Sequence, residues 1–333
     1  MFSLNIKRTL SLLFAGLFSG SVVAQDSTLK VLFIGNSYTH MYDLPGTVAA
    51  CASSITNKKL VLEFDHATPG GHYWHRHAAD KNTFEKIKKD KWDIVILQEQ
   101  SQMLSLPDSV IAQESIPFLQ ALVDSIRLQN PSSKLMFYRT WGRKNGDAQN
   151  GPMWPPVATY EGMDSLLAAR YQQIADSIGA QVVKVGDVWK NLRTQYPNIE
   201  LYDPDGSHPS PAGTYLAAVT FAQALFGINP LEIIYDGRIG QKEALLIRKV
   251  ADQVLTNGAG AKGMKSKAKT KKAKKITKAP EGPYNESTAA KPILKADEFP
   301  FHNGNNPSGS FEIGLAVLPS SSARRKQRSE KDV

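Results

Sequence analysis

Leu32-Phe33-Ile34-Gly35-Asn36-Ser37-Tyr38-Thr39 reads as the end of a buried strand that breaks into a turn at glycine and presents a serine just beyond it. The run Leu29–Ile34 is the first of five similar ones, with Leu60–Asp65, Trp92–Leu97, Lys134–Arg139 and Gln181–Val185. All are short, rich in Val, Ile, Leu or Phe, and bounded by polar or turn residues. Helical patterns fall between and after them, over Leu44–Ser54, His75–Lys89, Ser109–Leu128, Tyr160–Ile178, Ala212–Phe226 and Gln241–Leu255. This alternation predicts a three-layer α/β/α sandwich around a five-stranded parallel sheet. No linker composition interrupts it, so residues 25–258 are expected to form one domain.

Working outward, the two ends of the chain differ from this body. Lys7 and Arg8, the apolar run Leu10–Val23 and the small residues Val22-Val23-Ala24 read as a signal peptide over residues 1–24, cut ahead of Gln25. The run is short for a bilayer span, and no later stretch is long and apolar enough for one, so an exported protein without a transmembrane anchor is expected. Residues 259–333 carry 16 Lys/Arg against 7 Asp/Glu, the whole of the net charge of +9, which leaves 24 of each sign for residues 1–258. The body is therefore neutral, and no specific nucleic-acid binding is expected of it. The tail is rich in Lys, Pro, Ser, Asn and Gly and is expected to be disordered; its charge suits contact with anionic surfaces. Cys51 is the single cysteine, so no intrachain disulfide forms, and its apolar neighbours mark it as a buried small hydrophobe.

Chemistry concentrates in two places. Ser37 follows the first strand directly, where a sheet of this type exposes its ligand-binding edge. Far downstream, Asp205-Gly206-Ser207-His208-Pro209 places a carboxylate three residues before an imidazole. The carboxylate can hold one ring nitrogen while the other takes a proton from serine, the three roles acyl transfer needs. Ser210 and Pro211 also read as the cap and first residue of the next helix, which would hold the base in place. The long connections Gln98–Asp108 and Thr140–Thr159 leave from the same expected edge.

With these residues in view, the chain resembles the SGNH (GDSL-like) hydrolases, in a variant whose first motif reads Gly35-Asn36-Ser37 where Gly-Asp-Ser is usual. Thr68-Pro69-Gly70-Gly71 follows the second strand, Gln98-Glu99-Gln100-Ser101 the third, and Asp205-x-x-His208 completes the set over about residues 29–256. The resemblance implies a flavodoxin-like fold, a catalytic triad of Ser37, Asp205 and His208, and no metal or organic cofactor. It also implies an oxyanion hole built from the N–H groups of Ser37 and a glycine, with a side-chain amide as third donor. Gly71 is preferred to Gly70 because it directly precedes the helical segment, where its N–H can point into the hole. The family's Asn is absent; Gln100 takes its position, with Gln98 as the alternative.

Other residues leave two readings open. Five of the seven histidines, His40, His66, His72, His75 and His77, fall within residues 40–77, and His72-x-x-His75 has a spacing that can bind zinc, yet no Glu stands in a recognised partner position. His40 is expected to line the substrate pocket. Trp141 and Trp154 offer flat faces for sugar rings, or else fasten a long loop. Arg139 and Arg143 can bind a substrate carboxylate or pair internally. The expected activity is ester hydrolysis through an acyl-enzyme, with an O-acetylated carbohydrate as the favoured substrate. Lipid or simple-ester hydrolysis and a non-catalytic carbohydrate-binding domain are the alternatives.

Overall fold

A computed structural model describes residues 27–57 and 59–260. The expected signal peptide and the basic tail beyond residue 260 lie outside them. The sheet contains β1 (Ser27–Ile34), β2 (Leu60–Ala67), β3 (Ile94–Leu97), β4 (Lys134–Tyr138) and β5 (Gln181–Val183). All pairings are parallel, in the order β2-β1-β3-β4-β5. This is the flavodoxin-like order, and the chain reverses its direction of travel at β1. The three-layer α/β/α architecture is therefore the one the apolar runs predict.

Register sets up the functional edge. Ile34 pairs with Ala67 on one side and Leu97 on the other, and Leu97 pairs with Phe137. The residues that leave these four strands accordingly emerge side by side. They include Ser37, Gly71, Gln100 and Trp141.

Helices cover both faces: α1 (Ser37–His40), α2 (Leu44–Ser53), α3 (Trp74–Ala79), α4 (Lys81–Lys89), α5 (Asp108–Glu114), α6 (Ile116–Gln129), α7 (Tyr160–Ile178), α8 (Val185–Gln195), α9 (Pro211–Phe226) and α10 (Gln241–Gly260). Strand residues alternate between the layers, as pleating requires. Val31, Phe33, Ile94, Ile96, Met136 and Tyr138 join one core with α2, α8, α9 and α10. Phe137 faces the other way, against Trp74 of α3 and Tyr171 of α7. Cys51 is fully buried in the first core, where burial pushes its thiol up to about 12.

Three departures from the expected elements have specific physical causes. The pattern His75–Lys89 is two helices, because Asp80 is extended (φ −93°, ψ 112°) and caps α4 through Asn82 N–H. The pattern Ser109–Leu128 breaks at Ser115, whose hydroxyl turns inward to Glu99. The fifth strand stops at Val183, and α8 was not expected at all. Gly186 lies in its first turn, and a Cβ there would meet Arg139 Nη1 at 1.6 Å. Glycine is present to make room for a buried guanidinium.

Candidate active site

Ser37 opens α1, a single turn whose cap is Asn36. Gly35 is needed here for space: a Cβ would meet Gln98 Oε1 at 2.5 Å and Thr39 Oγ1 at 2.6 Å. Gln98 is fully buried and braces the turn, its Oε1 accepting from Asn36 N–H and the Thr39 hydroxyl, each at 2.9 Å. His77, also buried, supports the turn from α3 by donating from Nε2 to Gly35 O at 2.8 Å. Burial pushes that imidazole down to about 4, so it is neutral, and Thr83 Oγ1 lies 2.8 Å from its Nδ1. Asn36 Oδ1 accepts from Tyr38 N–H at 3.0 Å, while its Nδ2 donates to His72 O at 2.8 Å. An aspartate has no proton for that carbonyl at neutral pH, which explains the amide in the first motif.

The Asp–His loop approaches from the far end of the domain. Ser37 Oγ stands 2.8 Å from His208 Nε2, and His208 Nδ1 stands 2.5 Å from Asp205 Oδ2. Asp205 Oδ1 accepts from the N–H groups of Ser207 and His208, both at 2.9 Å. Partial burial raises the Asp205 carboxyl, but the bonds from the His208 ring and these N–H groups outweigh it and hold the group below its ordinary value. Gly206 takes φ +67°, the left-handed conformation the turn requires. Downstream, Ser210 caps α9 by accepting from Gly213 N–H at 3.1 Å, and Pro211 fills its first position. The structure thus brings Ser37, His208 and Asp205 together across 171 and three residues of sequence separation.

The expected oxyanion donors occupy distinct settings. Gly71 has φ +66°, open space around its α-carbon, and an N–H with no partner among the described residues. The following helix begins only at Trp74, so Gly71 sits in a left-handed turn and not at the helix terminus expected of it. Gln98 is spent as a brace, its Nε2 donating to Glu99 O. Gln100 Oε1 accepts from the N–H groups of Gln102 and Met103, at 2.7 and 3.2 Å. Its Nε2 donates one hydrogen to Gln102 Oε1 at 3.0 Å.

Trp141 requires a correction. It is fully buried, its ring stacked between Tyr38 (4.9 Å, 9°) and Trp189 (3.6 Å, 6°), with Nε1 donating to Ser207 O at 3.1 Å. No face remains for a sugar; it is a wedge under the Asp–His loop. Trp154 is half-buried and fastens the two long loops, its Nε1 donating to Ser105 O at 3.0 Å. His40 is exposed one turn after Ser37. Arg139 is an internal partner, 2.8 Å from Asp164, with both side chains 2% exposed. The other histidines diverge: His75 stacks on Phe118, His66 meets Thr68, and His72 lies edge-on to His77. Among the described residues, no group of three His, Cys, Asp or Glu is arranged to hold a metal ion, and no helix is long and apolar enough to cross a membrane.

Two participants escaped the sequence reading. Tyr38 lies edge-on to His208, with its ring centroid 5.4 Å away and its hydroxyl 2.6 Å from Ser207 Oγ. Glu99, fully buried, ties the glycine loop to the third-strand loop by accepting from Trp74 N–H, Gln100 N–H and the Ser115 hydroxyl. Burial pushes its carboxyl up to about 7, although these three donors oppose the shift. Only tertiary contacts distinguish either residue from an ordinary core tyrosine or surface glutamate.

No protein-family model matches the chain, and no curated protein matches it. Solved structures do. A DUF4886 family protein from Bacteroides uniformis is 20% identical, with a TM-score of 0.58 over 70% of this chain and 96% of that one. The fold is shared. A putative SGNH hydrolase from Slackia heliotrinireducens is 24% identical over 59% of this chain and 98% of its own, with a TM-score of 0.46. A family 3 carbohydrate esterase from Clostridium thermocellum is 18% identical over 59% and 94%, with a TM-score of 0.40. The fold shared with the Bacteroides protein does not assign chemistry, which rests on the side chains.

Proposed function

We propose that this protein is a serine esterase that cleaves carboxylic esters through an acyl-enzyme. The observation that carries the reading is the continuous chain from Ser37 Oγ to His208 to Asp205, at 2.8 and 2.5 Å. Ser37 Oγ attacks the acyl carbonyl while His208 Nε2 takes its proton, and Asp205 stabilises the resulting imidazolium through Nδ1–H. Collapse expels the alcohol, which receives that proton. A water then attacks the acyl-enzyme with His208 again as base, releasing the acid and restoring Ser37.

The N–H groups of Ser37 and Gly71 hold the oxyanion, and Gln100 supplies the third donor. Its Oε1 is anchored by two backbone N–H groups, which fixes the amide orientation and leaves one Nε2 hydrogen uncommitted. Removing such a donor costs roughly 100- to 1000-fold in turnover. Gln100→Ala is therefore expected to lower kcat by that factor while leaving the fold intact, as read by kinetics and circular dichroism.

The substrate class we favour is an acetylated carbohydrate or another small ester. The Clostridium esterase is named for carbohydrate esters. Burial of Trp141 removes one of the sugar platforms first considered. Labelling with a serine-directed fluorophosphonate, native protein against Ser37→Ala, tests the chemistry. Ser37-dependent labelling together with acetate release from acetyl esters is expected; absence of both sinks the reading.

A further inference from the structure

We propose that Arg143 forms a subsite for a carboxylate on the alcohol portion of the ester that Ser37 attacks, an inference that rests on the esterase reading above. Arg143 leaves the fourth strand at the same edge as the triad. Its neighbour Lys144 donates N–H to Gly206 O at 2.8 Å, and Trp141 donates to Ser207 O at 3.1 Å, so this segment runs along the Asp–His loop. His208 protonates the departing alcohol, hence groups beside its loop face that part of the substrate.

The guanidinium's two polar contacts are both long. Its Nη2 is 3.4 Å from Ser101 Oγ, its Nη1 is 3.9 Å from Asp147 Oδ1, and its Nε has no partner. Asp147 is at ion-pair distance but takes no close hydrogen bond from Arg143. Against the effect of burial, its Asn150 and Gln102 hydrogen bonds and then the Arg143 charge hold the Asp147 carboxyl below its ordinary value. Its two oxygens already accept from Gln149 and Asn150 N–H and from the Asn150 and Gln102 amides at 2.7–3.2 Å. The charge also reaches the site: burial raises the Tyr38 hydroxyl, while hydrogen bonds to Ser207 and Ser101 and the Arg143 charge act against that rise. The Arg143 side chain is 25% exposed, against 2% for the internally paired Arg139. A planar fork with weakly held donors, partly desolvated at the sheet edge from which the triad rises, is matched to a carboxylate.

The test compares 4-acetoxybenzoate, whose leaving alcohol is anionic, with phenyl acetate, whose leaving alcohol is neutral. Arg143→Leu is expected to reduce kcat/KM for the anionic ester roughly ten- to a hundredfold more than for the neutral one, the range of a charge-assisted bond. Arg143→Lys, which keeps the charge but loses the fork, should fall between, and added salt should narrow the gap. An equal fall for both esters, or none, overturns the subsite. Binding of 4-acetoxybenzoate to Ser37→Ala, with and without Arg143→Leu, separates the two readings. If no ester is turned over but the second substitution weakens binding tenfold or more, the esterase reading falls and the subsite stands. If binding is absent or unchanged, the subsite falls.

Discussion

Asn36 shows how one amide decides the geometry of the nucleophile. It accepts from Tyr38 N–H and donates to His72 O, joining the serine turn to the glycine loop. Asn36→Asp keeps the acceptor but sets an anion against a carbonyl, at about 1–3 kcal/mol. Protonated aspartic acid can donate, so the difference in melting temperature from wild type should shrink as pH falls from 7 toward 4. Glu99 gives a second test. Its folded-state value is raised from 4.5 to about 7, so the native state holds a proton that the unfolded chain has lost, and stability falls as pH rises through that window. His77 acts oppositely: its value is lowered from 6.5 to about 4, so stability rises with pH between those limits. Each effect is worth about 3 kcal/mol over its full window, and the two nearly cancel between pH 5 and 6.5. Glu99→Gln removes the falling component. Denaturant titrations should show the variant gaining on wild type from pH 5 to 7.

At the scale of elements, the site depends on how two long loops are fastened to the sheet edge. The Tyr38-Trp141-Trp189 stack supports the Asp–His loop, and the Gln102–Asp147 and Trp154–Ser105 bonds join the loops to each other. Trp141→Ala should cost roughly 3–5 kcal/mol in a denaturant melt, because it empties a fully buried aromatic site. Trp154→Ala should cost less, its ring being only half-buried. The strands were legible as apolar runs, and Ser210-Pro211 as a helix start, because burial and capping chemistry are local. The breaks at Asp80 and Ser115 and the helix Val185–Gln195 were not. The last two are decided by distant partners, Ser115 by Glu99 and Gly186 by the Arg139 guanidinium, and the first by the extended backbone of Asp80.

For the whole molecule, charge and chemistry separate along the chain. The entire formal excess of +9 lies in residues 259–333. A protein ended after Gly260 should therefore lose retention on a cation exchanger at pH 7, and mass spectrometry of exported protein should find a chain beginning at Gln25. The fold class, the strand count and the serine, aspartate and histidine of the proposed triad were readable from the sequence, because pleated burial and motif spacing leave a local record. What the sequence left open was where side chains with identical chemistry are spent. Gln98 and Gln100 carry the same amide, and Arg139 and Arg143 the same guanidinium. Gln98 and Arg139 are buried inside, while Gln100 and Arg143 stay partly accessible at the sheet edge. That division follows from the register that brings four strand ends level and from the loops packed above them, and neither is encoded within the span of any one motif.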